Sequence, residues 1–129
     1  MAEPQDRLYA KTHEWVKIDG DEATVGITLF AQEQLGDVVF VELSAVGSRV
    51  AAGDAVGNIE SVKAVSELFC PVAGEIVAVN DELEAHPELV NQDPYGSGWL
   101  LRLRVGANAG EGLMDAVAYG QLAAAEGGH

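Results

Sequence analysis

The segment of this sequence best suited to chemistry is Glu60-Ser61-Val62-Lys63-Ala64, which contains a single lysine. Short β-like runs over residues 56–60 and 65–69 flank that lysine, and Gly, Asp and Pro residues bracket both runs. The runs predict a hairpin with Lys63 at or beside its tip and its amine in water. A reachable lysine on a rigid protrusion suits a group carrier, because the chemistry then belongs to a cofactor tethered there.

Lys63 is better suited to being modified than to acting as a catalyst. An ordinary lysine is protonated at neutral pH and is not nucleophilic, and no basic residue lies near Lys63 in the sequence to change this. Acylation by another enzyme would remove the charge and leave a neutral amide at the tip. The alternative is that Lys63, like most lysines in turns, only keeps the surface soluble.

Other common catalytic patterns do not occur in the sequence. It has no Gly-x-Ser-x-Gly elbow, no phosphate-binding Gly loop and no cysteine pair. His13, His86 and His129 do not have the spacing of metal ligands, so we expect structural or surface roles for them and no metal site. The single cysteine, Cys70, lies in an apolar run and is expected to be a small buried residue without a disulfide. An autonomous enzyme is therefore the weaker interpretation.

The 129 residues carry a formal net charge of −14, which bears on partners and location. Such a surface repels nucleic acid phosphates and anionic membranes and attracts partners with basic patches, although it also serves solubility. No apolar stretch is long enough to span a bilayer, and the acidic first six residues lack the pattern of a secretory or transit leader. We therefore expect a cytoplasmic protein that binds neither nucleic acid nor membrane.

Local patterns predict a mainly β protein, a sandwich or flattened barrel, in one domain. Asp19-Gly20 between alternating runs is a strong hairpin signal. Thr28 is a predicted helix N-cap, with a short helix over residues 29–35 that ends at Gly36. Further strands are predicted over residues 37–43, 74–79 and 99–105.

The C-terminal part of the chain is Ala-rich and predicts a helix over about residues 113–125. Leu113, Met114 and Val117 are expected to form its buried stripe. The last residues, 126–129, are expected to fray.

Nine short motifs, in this order and spacing, resemble the H-protein family of the glycine cleavage system. The resemblance spans about residues 9–119, so we expect the core there, within a single domain of residues 1–129. Each motif is weak alone, but the set is highly specific. The motifs are His13-Glu14-Trp15-Val16, Gly26-Ile27-Thr28 with Ala31-Gln32, Leu35-Gly36-Asp37-Val38-Val39-Phe40-Val41-Glu42-Leu43, Glu60-Ser61-Val62-Lys63-Ala64, Pro71-Val72-Ala73-Gly74-Glu75, Val79-Asn80, Leu89-Val90-Asn91, Asp93-Pro94-Tyr95-Gly96 and Gly98-Trp99-Leu100.

The resemblance implies a barrel-sandwich hybrid of the lipoyl and biotinyl type, with short peripheral helices and a C-terminal helix. It also implies lipoate joined to Lys63 by an amide, attached by a lipoate ligase or by a lipoyl or octanoyl transferase. The arm would carry an aminomethyl group from glycine decarboxylase (the P protein) to the tetrahydrofolate-dependent aminomethyltransferase (the T protein). Dihydrolipoamide dehydrogenase (the L protein) would reoxidise the dithiol, and the chain itself would catalyse none of these steps.

The resemblance further suggests which residues contact the arm. Glu14 and Glu67 match acidic positions of the family and are expected to hold the cationic end of the cargo, with Thr12 as a hydroxyl contact. Glu60, three residues before Lys63, is expected to mark the hairpin for the lipoylating enzyme. The alternative for each of the two arm acids is a solvated surface residue.

Several other readings of the sequence remain open. A lipoyl domain of a 2-oxoacid dehydrogenase acyltransferase would be shorter and would carry an Ala/Pro-rich linker, which is missing here. A biotin carrier would place methionines where Val62 and Ala64 stand. An acidic interaction protein would leave Lys63 unmodified. A role as lipoyl donor to other carrier proteins is compatible with the first reading.

Overall fold

Residues 4–127, which the computed structural model describes, form nine β-strands and four helices. The strands are β1 (Leu8–Tyr9), β2 (Glu14–Asp19), β3 (Glu22–Ile27), β4 (Val38–Leu43), β5 (Arg49–Val50), β6 (Ala55–Ser61), β7 (Val65–Phe69), β8 (Gly74–Val79) and β9 (Leu101–Arg104). The helices are α1 (Leu29–Leu35), α2 (Glu82–Ala85), α3 (Leu89–Gln92) and α4 (Ala116–Gly127). The predicted fraying concerned residues 126–129, of which 128 and 129 lie outside the described residues.

Antiparallel pairing joins these strands into two sheets, which confirms the mainly β prediction. The larger sheet has the order β1-β2-β3-β9-β8-β5, and the smaller has the order β4-β6-β7. Side chains alternate between faces along a strand. In β9, Leu101 and Leu103 are buried, whereas Arg102 and Arg104 are on the other face and reach solvent in part or fully.

The hairpin of β2 and β3 forms as predicted, with its turn displaced by one residue. Asp19 pairs with Glu22, so the two loop residues are Gly20 and Asp21. Gly20 has φ +65°, a left-handed conformation that glycine adopts without steric cost. The sequence Asp-Gly marked the right place, but the first of its residues belongs to the strand.

Aliphatic side chains from both sheets pack together and form the main core. It includes Val25 and Leu101 of the larger sheet and Val41, Ile59 and Leu68 of the smaller one. Cys70 is fully buried in the same cluster, as predicted, and its Sγ donates to the carbonyl of Val72 at 3.1 Å. A second cluster, the aromatic cluster, packs Tyr9, Trp15 and Tyr119 against the small residues Ala116 and Ala123 of α4.

Helix α1 begins and ends where its capping residues predict. Thr28 Oγ1 accepts a hydrogen bond from the backbone N–H of Ala31 at 3.1 Å, which satisfies one of the free donors of the first turn. At the other end Gly36, with φ +78°, donates its N–H to the carbonyl of Gln32. The short helix α3, by contrast, was not predicted.

The predicted buried stripe of the C-terminal helix is wrong. The helix begins at Ala116 because the Asp115 carboxylate accepts from the N–H of Ala118 at 2.8 Å, a capping bond that sets its start. Leu113 and Met114 therefore precede the helix, and Val117 is 63% exposed. The buried face consists of Ala116, Tyr119 and Ala123.

Gly57 offers a test of the packing between β4 and β6. A Cβ at this position would lie 2.1 Å from the backbone oxygen of Glu42, and backbone cannot rotate away as a side chain can. We expect Gly57→Ala to lower the free energy of unfolding by roughly 2–3 kcal/mol in urea titrations, because the two strands must separate locally.

The matched control is Gly106→Ala, whose Cβ would have no atom within 4 Å. A substitution at such an open position changes stability by about 0.5 kcal/mol or less. Equal stabilities for the two variants would contradict the close approach of β4 and β6.

Candidate functional site

Lys63 lies at the tip of the hairpin formed by β6 and β7, as predicted. Ser61 holds the tip in one conformation: its Oγ accepts from the backbone N–H of Lys63 at 3.3 Å and of Ala64 at 3.0 Å. The N–H of Ser61 donates to the carbonyl of Ala64 at 2.8 Å. The tip is therefore a closed, hydrogen-bonded turn, and a group attached to Lys63 starts from a fixed point.

A neighbouring loop supports this tip from one side. The N–H of Val62 donates to the carbonyl of Asp37 at 3.0 Å. Gly36, which precedes Asp37 in this loop, leaves space for the lysine, since a Cβ at Gly36 would lie 3.2 Å from Cε of Lys63. No local pattern in the sequence indicated that the helix-ending glycine also borders the lysine.

Asn91 of α3 holds the loop at Gly36 and Asp37 in place. Its Nδ2 donates to the carbonyl of Gly36 at 2.8 Å and to Oε1 of Gln32 at 3.0 Å, and its Oδ1 accepts from the N–H of Val38 at 2.8 Å. All of these bonds connect α1, the loop and β4 to α3. The sequence analysis named Asn91 only as part of a family motif and missed this role, because its partners are 53 or more residues away.

The Lys63 side chain is exposed. Within residues 4–127, none of the ion pairs includes it. An acylating enzyme that approaches the hairpin tip can therefore contact the amine without first breaking an ion pair in the described part of the chain.

A cleft of about 300 Å³ opens beside the hairpin, between β7, α1 and the start of β2. Most of its walls are apolar, and Ala64, the residue after Lys63, borders it. The cleft brings together Thr12, Glu14 and Glu67 and leaves Glu60 outside. Its lining residues are Thr12, His13, Glu14, Ile27, Phe30, Ala31, Gln34, Leu35, Ile59, Ala64, Ser66, Glu67 and Leu68.

Glu14 is the one carboxylate in this cleft that is withdrawn from water, at 2% exposure. It accepts a hydrogen bond from the hydroxyl of Thr12 and a longer one, 3.4 Å, from the backbone N–H of Phe69. These bonds favour the charged form, but burial outweighs them and raises the pKa of Glu14 to about 7. The alternative considered from the sequence, that Glu14 is a solvated surface residue, is therefore wrong.

The other predicted site residues are exposed. Thr12 and Glu67 line the rim of the cleft, where water screens Glu67. Glu60 lies on the outer face of the smaller sheet, paired across the strands with Phe40 and Val65. Those two neighbours are large exposed hydrophobic residues, at 47% and 67% exposure, so Glu60 belongs to a partly apolar surface beside the hairpin tip.

His13 is the cleft residue whose surroundings sequence reasoning did not foresee. Its φ of +74° is unusual for a residue other than glycine. Its ring nitrogens lie 2.8 Å from the hydroxyl of Tyr119 and 2.9 Å from Oε1 of Glu126. Both partners are more than 100 residues away in the sequence, which explains why no local pattern revealed them.

Two further features bear on the class of site. In the range 4–127, no group of three or more His, Cys, Asp or Glu side chains is arranged to hold a metal ion. Over the same residues, no helix combines the length and the apolar character needed to cross a membrane.

Known proteins resemble this chain over nearly its whole length. Residues 7–126 match the family model described as "Glycine cleavage H-protein". A glycine cleavage system H protein from Nitratidesulfovibrio vulgaris (strain DP4) is 56% identical over 126 residues, which cover 98% of both chains. One from Rubrobacter xylanophilus is 66% identical over 106 residues, 81% of this chain and 84% of the relative.

A solved structure supports the same assignment and confirms the predicted barrel-sandwich fold. The crystal structure of a glycine cleavage system H protein from Mycobacterium marinum superposes with a TM-score of 0.85 at 43% identity. The superposition covers 98% of this chain and 100% of the other. The chain therefore belongs to the H-protein family of the glycine cleavage system.

Proposed function

We propose that Lys63 carries a lipoyl group through an amide bond and that the chain uses it to shuttle an aminomethyl group. The observation that carries this proposal is the position of an exposed lysine, on a hydrogen-bonded tip, directly beside an apolar cleft with a buried acid. As a member of its family, the chain is a lipoyl carrier component of the glycine cleavage system and not one of its enzymes, which confirms that prediction.

The cleft has the chemistry that a lipoyl arm with a cationic cargo needs. Ile27, Phe30, Leu35 and Leu68 offer apolar walls to the hydrocarbon chain and the ring of the arm. When attached, the lipoyl group would supply a disulfide that can accept the two electrons released as glycine is decarboxylated, which would leave one sulfur to hold the cargo. The residues of this chain would bind and orient that cargo and exclude water from it.

Glu14 is the residue best placed to recognise the cargo. A protonated amine next to a buried carboxylate gains a charge-assisted hydrogen bond in a site where water screens it little. Thr12 already donates to one oxygen of Glu14 and thereby orients the carboxylate. Glu67, exposed at the rim, would attract the cation more weakly, because charges in water interact weakly.

The order of partners follows from this assignment. Glycine decarboxylase would load the arm, the tetrahydrofolate-dependent aminomethyltransferase would unload it, and dihydrolipoamide dehydrogenase would reoxidise it. A lipoate ligase or a lipoyl or octanoyl transferase would attach it in the first place. The acidic surface supports partners with basic patches, and we place the protein with these enzymes in the cytoplasm.

Replacing the attachment residue tests the central claim. We expect wild-type protein co-expressed with a lipoate ligase to gain the mass of one lipoyl group and to support exchange by glycine decarboxylase. Lys63→Arg keeps the charge but cannot form the amide, so both signals should be lost. Lys17→Arg is the matched control, an exposed lysine of β2 in the larger sheet. Lipoylation or exchange retained in Lys63→Arg would refute the assignment.

The role of Glu60 is tested by the rate of lipoylation. Because Glu60 lies beside the tip on the outer face of the smaller sheet, Glu60→Ala should slow lipoylation by a ligase about tenfold through a higher KM. Glu42→Ala, on the same face and further from the tip, is the control. Equal rates for the two variants would remove Glu60 from ligase recognition.

The role of Glu14 is tested by how long the cargo stays protected. Glu14→Gln should leave lipoylation intact and speed the loss of aminomethyl cargo about tenfold at pH 8, the value of one charge-assisted hydrogen bond. Glu67→Gln, at the exposed rim, should have a smaller effect.

The pH dependence gives a second readout of the same interaction. With a pKa of about 7, Glu14 is charged above neutrality and becomes neutral as the pH falls. A cationic cargo stabilises the carboxylate and lowers this pKa, so protection in the wild type should weaken as the pH falls from 8 to 5, and Glu14→Gln should lack that change. A cargo lifetime that is identical in the two proteins across this range would rule out the contact.

A further inference from the structure

The C-terminal helix α4 contacts the cleft residue His13 through two side chains, Tyr119 and Glu126, and only Tyr119 is buried. This residue is fully buried, and its ring stacks on that of Tyr9 with the centroids 4.8 Å apart. Its hydroxyl oxygen lies 2.7 Å from Oγ1 of Thr28 and 2.8 Å from Nδ1 of His13. One hydroxyl therefore connects α4 both to the N-cap of α1 and to the residue that precedes β2.

One assignment of protons, with a neutral His13, gives each of these groups a hydrogen-bond partner. Oγ1 of Thr28 already accepts from the N–H of Ala31, so its own proton is available for Tyr119. The hydroxyl of Tyr119 then donates to Nδ1 of His13, which leaves the proton of a neutral imidazole on Nε2. Nε2 can donate in turn to Glu126, 2.9 Å away. If Nδ1 of a neutral His13 instead donated to Tyr119, Nε2 would carry no proton and could not donate to the Glu126 carboxylate.

His13 connects Tyr119 to the cleft. It lines the cleft together with its neighbours Thr12 and Glu14, and its ring packs on Phe30 of α1 with the centroids 4.8 Å apart. Its left-handed backbone is held by a bond from its N–H to the carbonyl of Ala10 at 3.0 Å and by one from the N–H of Thr28 to its own carbonyl at 3.1 Å. The turn at His13 sets the direction in which the chain carries Thr12 and Glu14 past the cleft.

We propose that Tyr119 is a positioning residue for the cleft, because its hydroxyl holds His13 and Thr28 in the arrangement that keeps Glu14 buried against Thr12. The hydrogen bonds of Tyr119 are observed directly, whereas their role in protecting a cargo rests on the proposed function. Helix α4 thus belongs to the site, although the described lining of the cleft includes no residue from it. Without the hydroxyl, Nδ1 of His13 and Oγ1 of Thr28 each lose a partner, and water takes its place beside the cleft.

The test is Tyr119→Phe in unlipoylated full-length protein, which keeps the stacked ring and removes only the hydroxyl. The readout is the titration of the Glu14 side-chain carboxyl carbon by NMR. We expect its pKa to fall by about half a unit or more toward the ordinary value of a glutamate, because water then reaches the carboxylate. In lipoylated protein the same variant should shorten the lifetime of the cargo several-fold.

The matched control is Tyr9→Phe, which removes the hydroxyl of the other ring in the stack. That hydroxyl donates to the carbonyl of Pro4 and does not border the cleft. Both variants lose a buried hydroxyl, so a loss of stability alone would appear in both, whereas the shift in the pKa of Glu14 should appear only in Tyr119→Phe. A Glu14 pKa that is the same in Tyr119→Phe as in the wild type overturns the proposal. Since the titration needs no lipoyl group, it gives this answer even if Lys63→Arg were to refute the attachment site.

Discussion

The burial of one carboxylate, Glu14, is the constraint on which the site depends. Its pKa rises from an ordinary 4.5 to about 7, because desolvation outweighs the hydrogen bonds from Thr12 and Phe69. A raised pKa means that the unfolded chain releases this proton first, so the folded state loses stability as the pH rises from 4.5 to 7, by about 3 kcal/mol in total. A neutral side chain of similar size would avoid that cost. The cleft nevertheless contains an acid, whose negative charge a cationic cargo can neutralise.

The lysine and the acid are related through a single strand. β7 begins just after the tip at Lys63, lines the cleft with Ser66, Glu67 and Leu68, and ends at Phe69, whose N–H donates to Glu14. A group tethered at the tip therefore starts at one end of the strand whose other end contacts the acid. The bonds of Ser61 at the tip matter for this reason, since a loose turn would spread the starting positions of the arm and raise the entropic cost of docking.

Features set by local sequence could be predicted, and features set by distant contacts could not. Thr28 and Gly36 mark the ends of α1 because caps act within one turn, and the lysine hairpin follows from alternation and turn residues. The stripe of α4 was wrong because Leu113 and Met114 looked like helix core, whereas the Asp115 cap starts the helix after them. The depth of Glu14 and the network from Tyr119 to His13 depend on residues 55 to 106 positions apart, which no periodicity reveals.

Several motifs that carry the family resemblance have physical reasons in the structure. Gly26 pairs with Trp15 across the β2–β3 hairpin, and a Cβ there would lie 2.6 Å from the indole ring. Gly36 leaves room for the side chain of Lys63, and Asn91 holds the loop beneath it with three hydrogen bonds. None of these residues does chemistry, yet each fixes a contact between the tip, the cleft and the sheets. The specificity of the motif set thus arises from the need to hold one lysine and one buried acid in a constant relation.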